Sequence, residues 1–211
     1  MKIVKVLSVG YESNCWLIID ENSGEYAMVD PSASIENIEN KLNSLNLDKN
    51  KFKYVLLTHG HFDHIYSADI VRDKYGCELC IHKNDADFLT DSYKNANKVF
   101  FGEDLILRPA EKLLNDGDII QLGELEISVI HTPGHTEGCV CYLVNEHMLC
   151  GDTIFDLSVG RTDLPGGSTR IILEGLRKIK NMPGNIRLYP GHGGTTTIKE
   201  QIQNNPYLKG L

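Results

Sequence analysis

Short apolar runs alternate with polar turns along most of the chain, and two longer stretches show helical spacing instead. Short apolar runs predict strands over residues 1–7, 14–20, 26–29, 54–57, 119–122, 125–130, 140–144, 148–150 and 186–189, with another ending at residue 82. Apolar residues at helical spacing predict a helix over 34–47, and further helices are predicted from 63 to about 75 and over 168–182. Strands and helices interleaved in this way indicate an α/β protein.

Length and charge restrict the class of protein. A chain of 211 residues with 41% hydrophobic residues favours one domain over residues 1–211. The net charge of −8 argues against nucleic acid or an anionic membrane as partner. No apolar run is long enough for a transmembrane helix, and the N-terminal residues resemble a strand rather than a signal peptide. We therefore expect a cytoplasmic protein, whose oligomeric state the sequence does not indicate.

The cysteines are expected to be free thiols that fill apolar space. Six occur in the chain, at positions Cys15, Cys77, Cys80, Cys139, Cys141 and Cys150. Cys77 and Cys80 form a Cys-x-x-Cys pair, but they lie in a strand-like run. A thioredoxin-type pair would begin a helix, and a zinc knuckle needs a second pair. Packing is therefore the favoured role.

The densest chemistry lies in residues 58–64, which read THGHFDH. Three imidazoles and a carboxylate follow the predicted strand 54–57 directly, and each is a metal ligand by type. We expect Gly60 to let the backbone turn tightly, so that His59 and His61 face one point. Asp63 and His64 would then begin the next helix and face a second point.

The same local context occurs three more times. A strand ends beside a glycine and is followed by a residue of ligand type at His135, at Asp152 and at His192. Because strands of one α/β layer can deliver side chains to a common cleft at their ends, we expect these residues to meet the THGHFDH segment.

The number of ligands favours two metal ions. The candidate ligands are His59, His61, Asp63, His64, His135, Asp152 and His192. A catalytic zinc takes about three protein ligands, so this set fits two ions. The first would be held by His59, His61 and His135, the second by Asp63, His64 and His192, and Asp152 would bridge them. Zinc is the expected metal, with iron and manganese as alternatives, and such a pair ionises water near neutral pH.

Several nearby residues have open roles. Asp30 either supports the metal loop from behind or caps a strand end. His131 is expected to support or pack rather than to ligate, and His82 to be packed or on the surface. Residues 84–114 have no clear role; 84–89 start like a helix, and 94–109 are a candidate mobile loop over the site.

The motifs THGHFDH, PGHT at 133–136, GDTIF at 151–155 and PGHG at 190–193 together resemble the metallo-β-lactamase superfamily. The small single-domain members of its glyoxalase II-like branch match best. The resemblance implies an αββα four-layer sandwich, with two mixed sheets face to face, helices on the outer faces and the metals at one edge. It implies the same seven ligands. It also implies hydrolysis of a small thioester such as S-lactoylglutathione by a metal-bridging hydroxide, with Asp63 and Asp152 as catalytic residues.

The substrate is less well specified. The segment GRTDLPGG at 160–167 resembles one in which a cation meets a glutathione carboxylate, which makes Arg161 the candidate substrate-binding residue. Alternatively, Arg161 pairs with Asp163 or Asp156. Two departures from full-length glyoxalase II weigh against glutathione: the helical domain of those enzymes is not recognisable after His192, and the aromatic residue expected there is replaced by glycine.

Three other functions share these motifs. Persulfide dioxygenases have the same fold and a similar Gly-Arg-Thr-Asp segment, but they use one iron held by residues matching His59, His135 and Asp152. Lactonases and phosphodiesterases of the superfamily form a second alternative. A metal-stabilised binding domain, which would keep no exchangeable water, is the third. β-Lactamase activity is disfavoured because those secreted enzymes carry a signal peptide.

Overall fold

Two mixed β-sheets face each other across a layer of apolar side chains. The computed structural model describes residues 1–8 and 13–211, and within these it shows two sheets of six strands and a short hairpin. The first sheet has the order β1-β2-β3-β4-β5-β6, formed by β1 (Lys2–Val6), β2 (Cys15–Ile19), β3 (Tyr26–Val29), β4 (Phe52–Leu56), β5 (Glu78–His82) and β6 (Lys112–Leu114). The second has the order β14-β13-β10-β9-β8-β7, formed by β7 (Ile119–Leu122), β8 (Leu125–His131), β9 (Val140–Val144), β10 (His147–Gly151), β13 (Arg187–Pro190) and β14 (Thr196–Thr197). The hairpin consists of β11 (Ile154–Phe155) and β12 (Ser158–Val159).

Helices connect the strands and cover the sheets. They are α1 (Ile35–Ser44), α2 (Phe62–Ile65), α3 (Ala68–Tyr75), α4 (Asn97–Phe101), α5 (Thr169–Lys180), α6 (Ile198–Asn204) and α7 (Pro206–Lys209), with 3₁₀-helices at Lys49–Lys51 and Lys83–Leu89. The α1 helix begins where the Ser34 hydroxyl accepts a hydrogen bond from the Asn37 amide. The α3 helix ends at Gly76, which adopts the left-handed conformation typical of a helix C-terminus.

Three apolar layers hold the elements together, because side chains alternate along each strand. On β2, Leu17 packs with α1 and α3, whereas Ile18 packs between the sheets. On β10, Leu149 points between the sheets, whereas Met148 packs with α5 and α6. Strands buried on both faces explain the unbroken apolar runs of the sequence. The αββα sandwich with helices on its outer faces is thus confirmed.

Two sequence predictions need correction in detail. The helix predicted from residue 63 to about 75 is divided into α2 and α3, because the amide of Ser67 donates to the Pro31 carbonyl (2.9 Å) and its hydroxyl to the Ala33 carbonyl (2.7 Å). Residues 84–89 belong to a 3₁₀-helix rather than an α-helix. The cysteines are all buried free thiols, as expected.

Polar contacts also join the two sheets. The Tyr142 hydroxyl of β9 donates to the Leu57 carbonyl beyond β4 at 2.7 Å, in the buried interior. At the opposite end, the buried carboxylate of Asp20 accepts hydrogen bonds from the Glu124 amide (2.9 Å) and the Ser23 hydroxyl (2.6 Å). Asp20 therefore ties the β2–β3 turn of one sheet to the β7–β8 turn of the other. These hydrogen bonds, that from Glu124 foremost, lower the pKa of Asp20 to about 2.

We expect the Asp20→Asn variant of the metal-free protein to melt about 2–8 °C below the parent at pH 7. Because the folded-state pKa of Asp20 lies below its unfolded value, its stabilisation is present above pH 4 and is lost as the pH falls towards 2. Thermal melts between pH 2 and 7 should therefore show the difference in melting temperature shrinking with acidity. A Glu103→Gln control, which changes an exposed carboxylate, should follow the parent. A pH-independent difference would contradict the assignment to Asp20.

Candidate metal centre

Strand ends from both sheets supply the predicted ligands to one edge of the sandwich. His59 and His61 lie in the loop after β4, and Asp63 and His64 lie in the α2 helix that follows. His135, Asp152 and His192 follow β8, β10 and β13 of the second sheet, respectively. One strand of the first sheet with the helix that follows it, and three strands of the second sheet, therefore contribute, as the repeated strand-and-glycine pattern predicted.

The structure brings all seven predicted ligands together. Potential ligand atoms lie within 4.8 Å of one another in three groups: His59, His61 and His135; Asp63, His64 and His192; and His59, His64 and Asp152. We call the first group the histidine triad and the second the mixed triad. They coincide with the division between two ions that was predicted from the sequence, although the ligand role of each residue stays a prediction.

Asp152 lies between the two triads. Its Oδ1 is 3.4 Å from Nε2 of His64, and its Oδ2 is 3.5 Å from Nε2 of both His135 and His192. The mixed triad is equally close-set, with Oδ2 of Asp63 3.3 Å from Nε2 of His192. The Asp152 carboxylate is therefore close to members of both triads, as the predicted bridging role requires.

Four potential ligand atoms of the site have no hydrogen-bond partner in the protein. Among the side chains that the structure describes, five buried polar atoms have no hydrogen bond, and four of them belong to the predicted ligands: Nε2 of His59, His61 and His64, and Oδ1 of Asp152. A buried polar atom without a partner is costly, so such atoms are rare in folded proteins. Nitrogen and carboxylate donors that converge without partners fit a divalent transition metal.

In the metal-free protein, electrostatics gives the predicted ligands different protonation states. Burial, reinforced by the neighbouring imidazoles, holds the pKa of His59 and His61 well below 6.5, so both rings are neutral. Burial opposes the charge on Asp63, but His64 and His192 outweigh it and hold the pKa of this carboxyl well below its usual range. Burial likewise lowers the pKa of His64, yet Asp63, Asp152 and Asp30 overcome this and raise it to about 10. The carboxylates around His64 thus favour positive charge at this point.

Asp30 supports the site from behind. Its carboxylate accepts hydrogen bonds from the Thr58 amide (2.8 Å), the Thr58 hydroxyl (2.7 Å) and, at 2.9 Å, Nδ1 of His64. The Thr58 hydroxyl lies 3.1 Å from Nδ1 of His59. Asp30 is buried and has a φ of +51°, an uncommon conformation for a residue other than glycine. Of the two roles left open for Asp30, support of the metal loop is the one its contacts fit.

Arg161 contacts the site through its backbone carbonyl, and its side chain pairs with a neighbouring carboxylate. Its carbonyl oxygen lies 2.7 Å from Nδ1 of His135 and so orients that ring. Its guanidinium donates two hydrogen bonds to the Asp163 carboxylate, at 2.7 and 2.8 Å, and lies 5.9 Å from the Phe100 ring. Asp156, the other proposed partner, instead accepts from Gln201. The pairing with Asp163 is therefore present, and substrate binding by Arg161 stays a prediction.

The remaining histidines of interest pack against each other. The rings of His82 and His131 stack with centroids 4.0 Å apart, and His131 Nε2 lies 2.9 Å from the Glu137 carbonyl. Neither belongs to the three groups of ligand atoms. This agrees with the expectation that His131 does not ligate.

A small cleft leads to the triads. Its volume is about 140 Å³, and its walls are His61, Phe62, Asp63, Phe100, His135, Asp152, Arg161, Leu164 and His192. Phe100 lies on α4, within the segment that had been considered a mobile loop, and its ring is 5.6 Å from that of Phe62. The sequence did not single out Phe62, Phe100 or Leu164, because an isolated apolar residue carries no signal that it lines a cleft.

Membrane insertion by a helix finds no support. Within residues 1–8 and 13–211, no helix combines the length and apolar character needed to cross a bilayer.

Known proteins share both the sequence and the fold. The chain is 32% identical to the probable metallo-hydrolase YqgX of Bacillus subtilis, over 74% of this chain and 76% of that protein. It is 29% identical to hydroxyacylglutathione hydrolase GloC of Haemophilus influenzae, over 99% of this chain and 98% of that protein.

Solved structures agree. The B3 metallo-β-lactamase BLEG-1 superimposes with a TM-score of 0.92 at 30% identity, covering 99% of this chain and 100% of that one. TTHA1623 in a di-iron-bound form gives a TM-score of 0.84 at 25% identity, covering 97% and 100%. The family model described as the metallo-β-lactamase superfamily matches residues 9–192. With the fold, the clustered ligands and these relatives in agreement, the chain belongs to the metallo-β-lactamase superfamily.

Proposed function

We propose that this protein is a binuclear metal-dependent hydrolase of small thioesters, acting as one domain, with S-lactoylglutathione as the representative substrate. The observation that carries the proposal is the pair of triads that share Asp152 at the floor of an open cleft. A purely structural metal would have a closed ligand shell. The thioester is suggested by the likeness to the Haemophilus hydroxyacylglutathione hydrolase, which this chain matches over 98% of that enzyme's length.

The histidine triad, the mixed triad and Asp152 would hold two divalent ions. Zinc is the first choice. Iron is an alternative because the similar TTHA1623 structure is a di-iron-bound form, and manganese is another because it also accepts His and Asp ligands. When bound, such ions supply a water that ionises near neutral pH and polarise a carbonyl oxygen.

The side chains would divide the remaining work. Asp63 stays ionised at neutral pH, so besides ligating it can accept a hydrogen bond from the attacking water and orient it. A thiolate is a good leaving group, which removes the need for a strong general acid. The cleft of about 140 Å³ is smaller than the roughly 300–1,000 Å³ of ordinary ligand sites. It would take the acyl group and the thioester, while the rest of the thiol passes Arg161 at the rim.

The cellular setting is part of the proposal. We propose a cytoplasmic enzyme with a small-molecule substrate and without a nucleic-acid or membrane partner, which the net charge of −8 supports.

β-Lactam hydrolysis is a second candidate. It is favoured by the high similarity to BLEG-1, and it would use the same two triads and Asp152 to hold the metal ions. Persulfide oxidation with one iron at His59, His135 and Asp152 remains the alternative from a different reaction class. Metal content and substrate together distinguish the three.

Protein purified without added metal is expected to contain close to two divalent ions per chain and to hydrolyse S-lactoylglutathione. Chelation should abolish turnover, and zinc, iron or manganese should restore it. Elemental analysis and release of free thiol measure the two quantities. Two ions with turnover of a β-lactam only would show that the substrate is a β-lactam and not a thioester. One iron with persulfide-dependent oxygen uptake would show that the reaction is persulfide oxidation and not hydrolysis.

Replacement of Asp152 tests whether its carboxylate has the proposed bridging role. We expect Asp152→Ala to lower kcat by about 100-fold or more, because loss of even a group supporting a metal ligand commonly costs about 10- to 100-fold. Asp156→Ala, which removes a carboxylate bound to Gln201 outside the cleft, is the matched control and should keep wild-type turnover. Near-normal turnover of Asp152→Ala with two ions bound would refute the proposed role.

A further inference from the structure

A fully buried carboxylate, Asp85, lies behind the metal edge in a segment whose role the sequence left open. It is 0% exposed and belongs to the 3₁₀-helix Lys83–Leu89, which follows β5. Its Oδ2 accepts hydrogen bonds from the Gly60 amide (3.0 Å) and the Thr136 hydroxyl (2.6 Å), and its Oδ1 accepts from the Gly138 amide (2.6 Å). Three donors thus converge on one buried carboxylate.

These donors belong to the two loops that carry the histidine triad. Gly60 lies between His59 and His61 in the loop from the first sheet, and Thr136 follows His135 in the loop from the second. Asp85 is hydrogen-bonded to both, so it fixes the distance between loops that belong to different sheets. Three short hydrogen bonds to a side chain that is fully removed from water make this a stiff link.

Steric fit reinforces the link. A Cβ at Gly138 would lie 2.6 Å from Cγ of Asp85, and a Cβ at Gly60 would lie 2.3 Å from Cβ of Phe88 on the same 3₁₀-helix. The φ of Gly60 lies outside the left-handed region, so this glycine is required for space rather than for the tight turn expected from the sequence. The 3₁₀-helix is thus packed directly against the metal loop.

The mixed triad is supported by a different carboxylate. Asp30 accepts a hydrogen bond from His64, a member of that triad, whereas the contacts of Asp85 described above are confined to the loops of the histidine triad. The two buried carboxylates therefore separate the support of the two sites, except that Asp30 also reaches His59 through Thr58.

We propose that Asp85 is a positioning residue that sets the spacing of the two loops of the histidine triad and thereby the affinity of its metal ion. The consequence for catalysis rests on the proposed hydrolase function, whereas the consequence for metal binding does not. Since Asp85 acts through Gly60, Thr136 and Gly138, its removal should weaken one ion and leave the other.

The test is metal titration of Asp85→Asn. The amide keeps the size of the side chain but presents an NH₂ group to one of the donors, which breaks at least one of the three bonds. Metal-free protein is titrated with Co²⁺, followed by its absorption spectrum, and with Zn²⁺, followed by calorimetry. His61→Ala and His192→Ala serve as references that identify the signal of each triad. We expect affinity at the histidine triad to fall about 10- to 100-fold, with the mixed triad within about twofold of wild type.

Two further variants make the comparison specific. Asp87→Asn changes an exposed carboxylate on the same 3₁₀-helix and should bind both ions as wild type does. Thr136→Val removes one of the three bonds to Asp85 without changing the shape of the side chain, and should weaken the same ion by a smaller factor. It keeps the proposal testable if Asp85→Asn does not fold, as judged by circular dichroism of the metal-free protein.

Wild-type affinity at the histidine triad in a folded Asp85→Asn or Thr136→Val variant would overturn the proposal. Equal weakening at both triads would do so as well, because it would indicate general loosening of the fold. If wild-type protein binds its ions but hydrolyses no thioester, the proposed substrate fails while the difference between the two triads is still expected.

Discussion

The crowding of unpartnered ligand atoms at one edge of the sandwich is the constraint on which the rest of the structure depends. The His59 ring lies between 4.1 and 4.9 Å from the rings of His61, His64 and His135, all removed from solvent. Packing these rings buries nitrogen atoms without hydrogen bonds, which opposes folding by a few kcal/mol in total at roughly 1–3 kcal/mol for each group. Such a cluster is kept together by a strong scaffold in the metal-free chain and by cations in the loaded one.

The fold places the candidate ligands on loops from both sheets, and groups outside the site orient several of them. The interlayer core packs β4 of one sheet against β9 and β10 of the other, which brings the strand ends that carry the ligands together. Individual rings are then oriented by groups outside the site, such as Asp30 for His64 and the Arg161 carbonyl for His135. The left-handed backbone of Asp30 shows that local conformational cost is accepted to place its carboxylate. A second buried carboxylate, Asp85, links the loops from the two sheets.

The sequence predicted the features of the site that depend on neighbouring residues, and it did not predict those that depend on contacts between residues far apart in the chain. The convergence of the seven candidate ligands was predictable because each lies within a few residues of a strand end and a glycine; the layer order came from the resemblance to a family. The break between α2 and α3 was not, because it depends on bonds from Ser67 to residues beyond β3. The role of Asp85 depends on a partner 53 positions away, and that of Arg161 on a backbone carbonyl that has no side-chain signal. Asp30 stayed ambiguous because a strand-end cap and a ligand support share the same local sequence.

The fold alone does not fix the substrate, because similar chains include both a hydroxyacylglutathione hydrolase and a B3 metallo-β-lactamase. Here the rim pairs the Phe100 ring with Arg161, whose charge is shared with Asp163. The side chains of Arg161 and Asp163 are 53% and 68% exposed, respectively, and exposed ion pairs contribute little to stability. Separating this exposed ion pair would therefore cost little, which supports the proposal that Arg161 binds a carboxylate of the substrate.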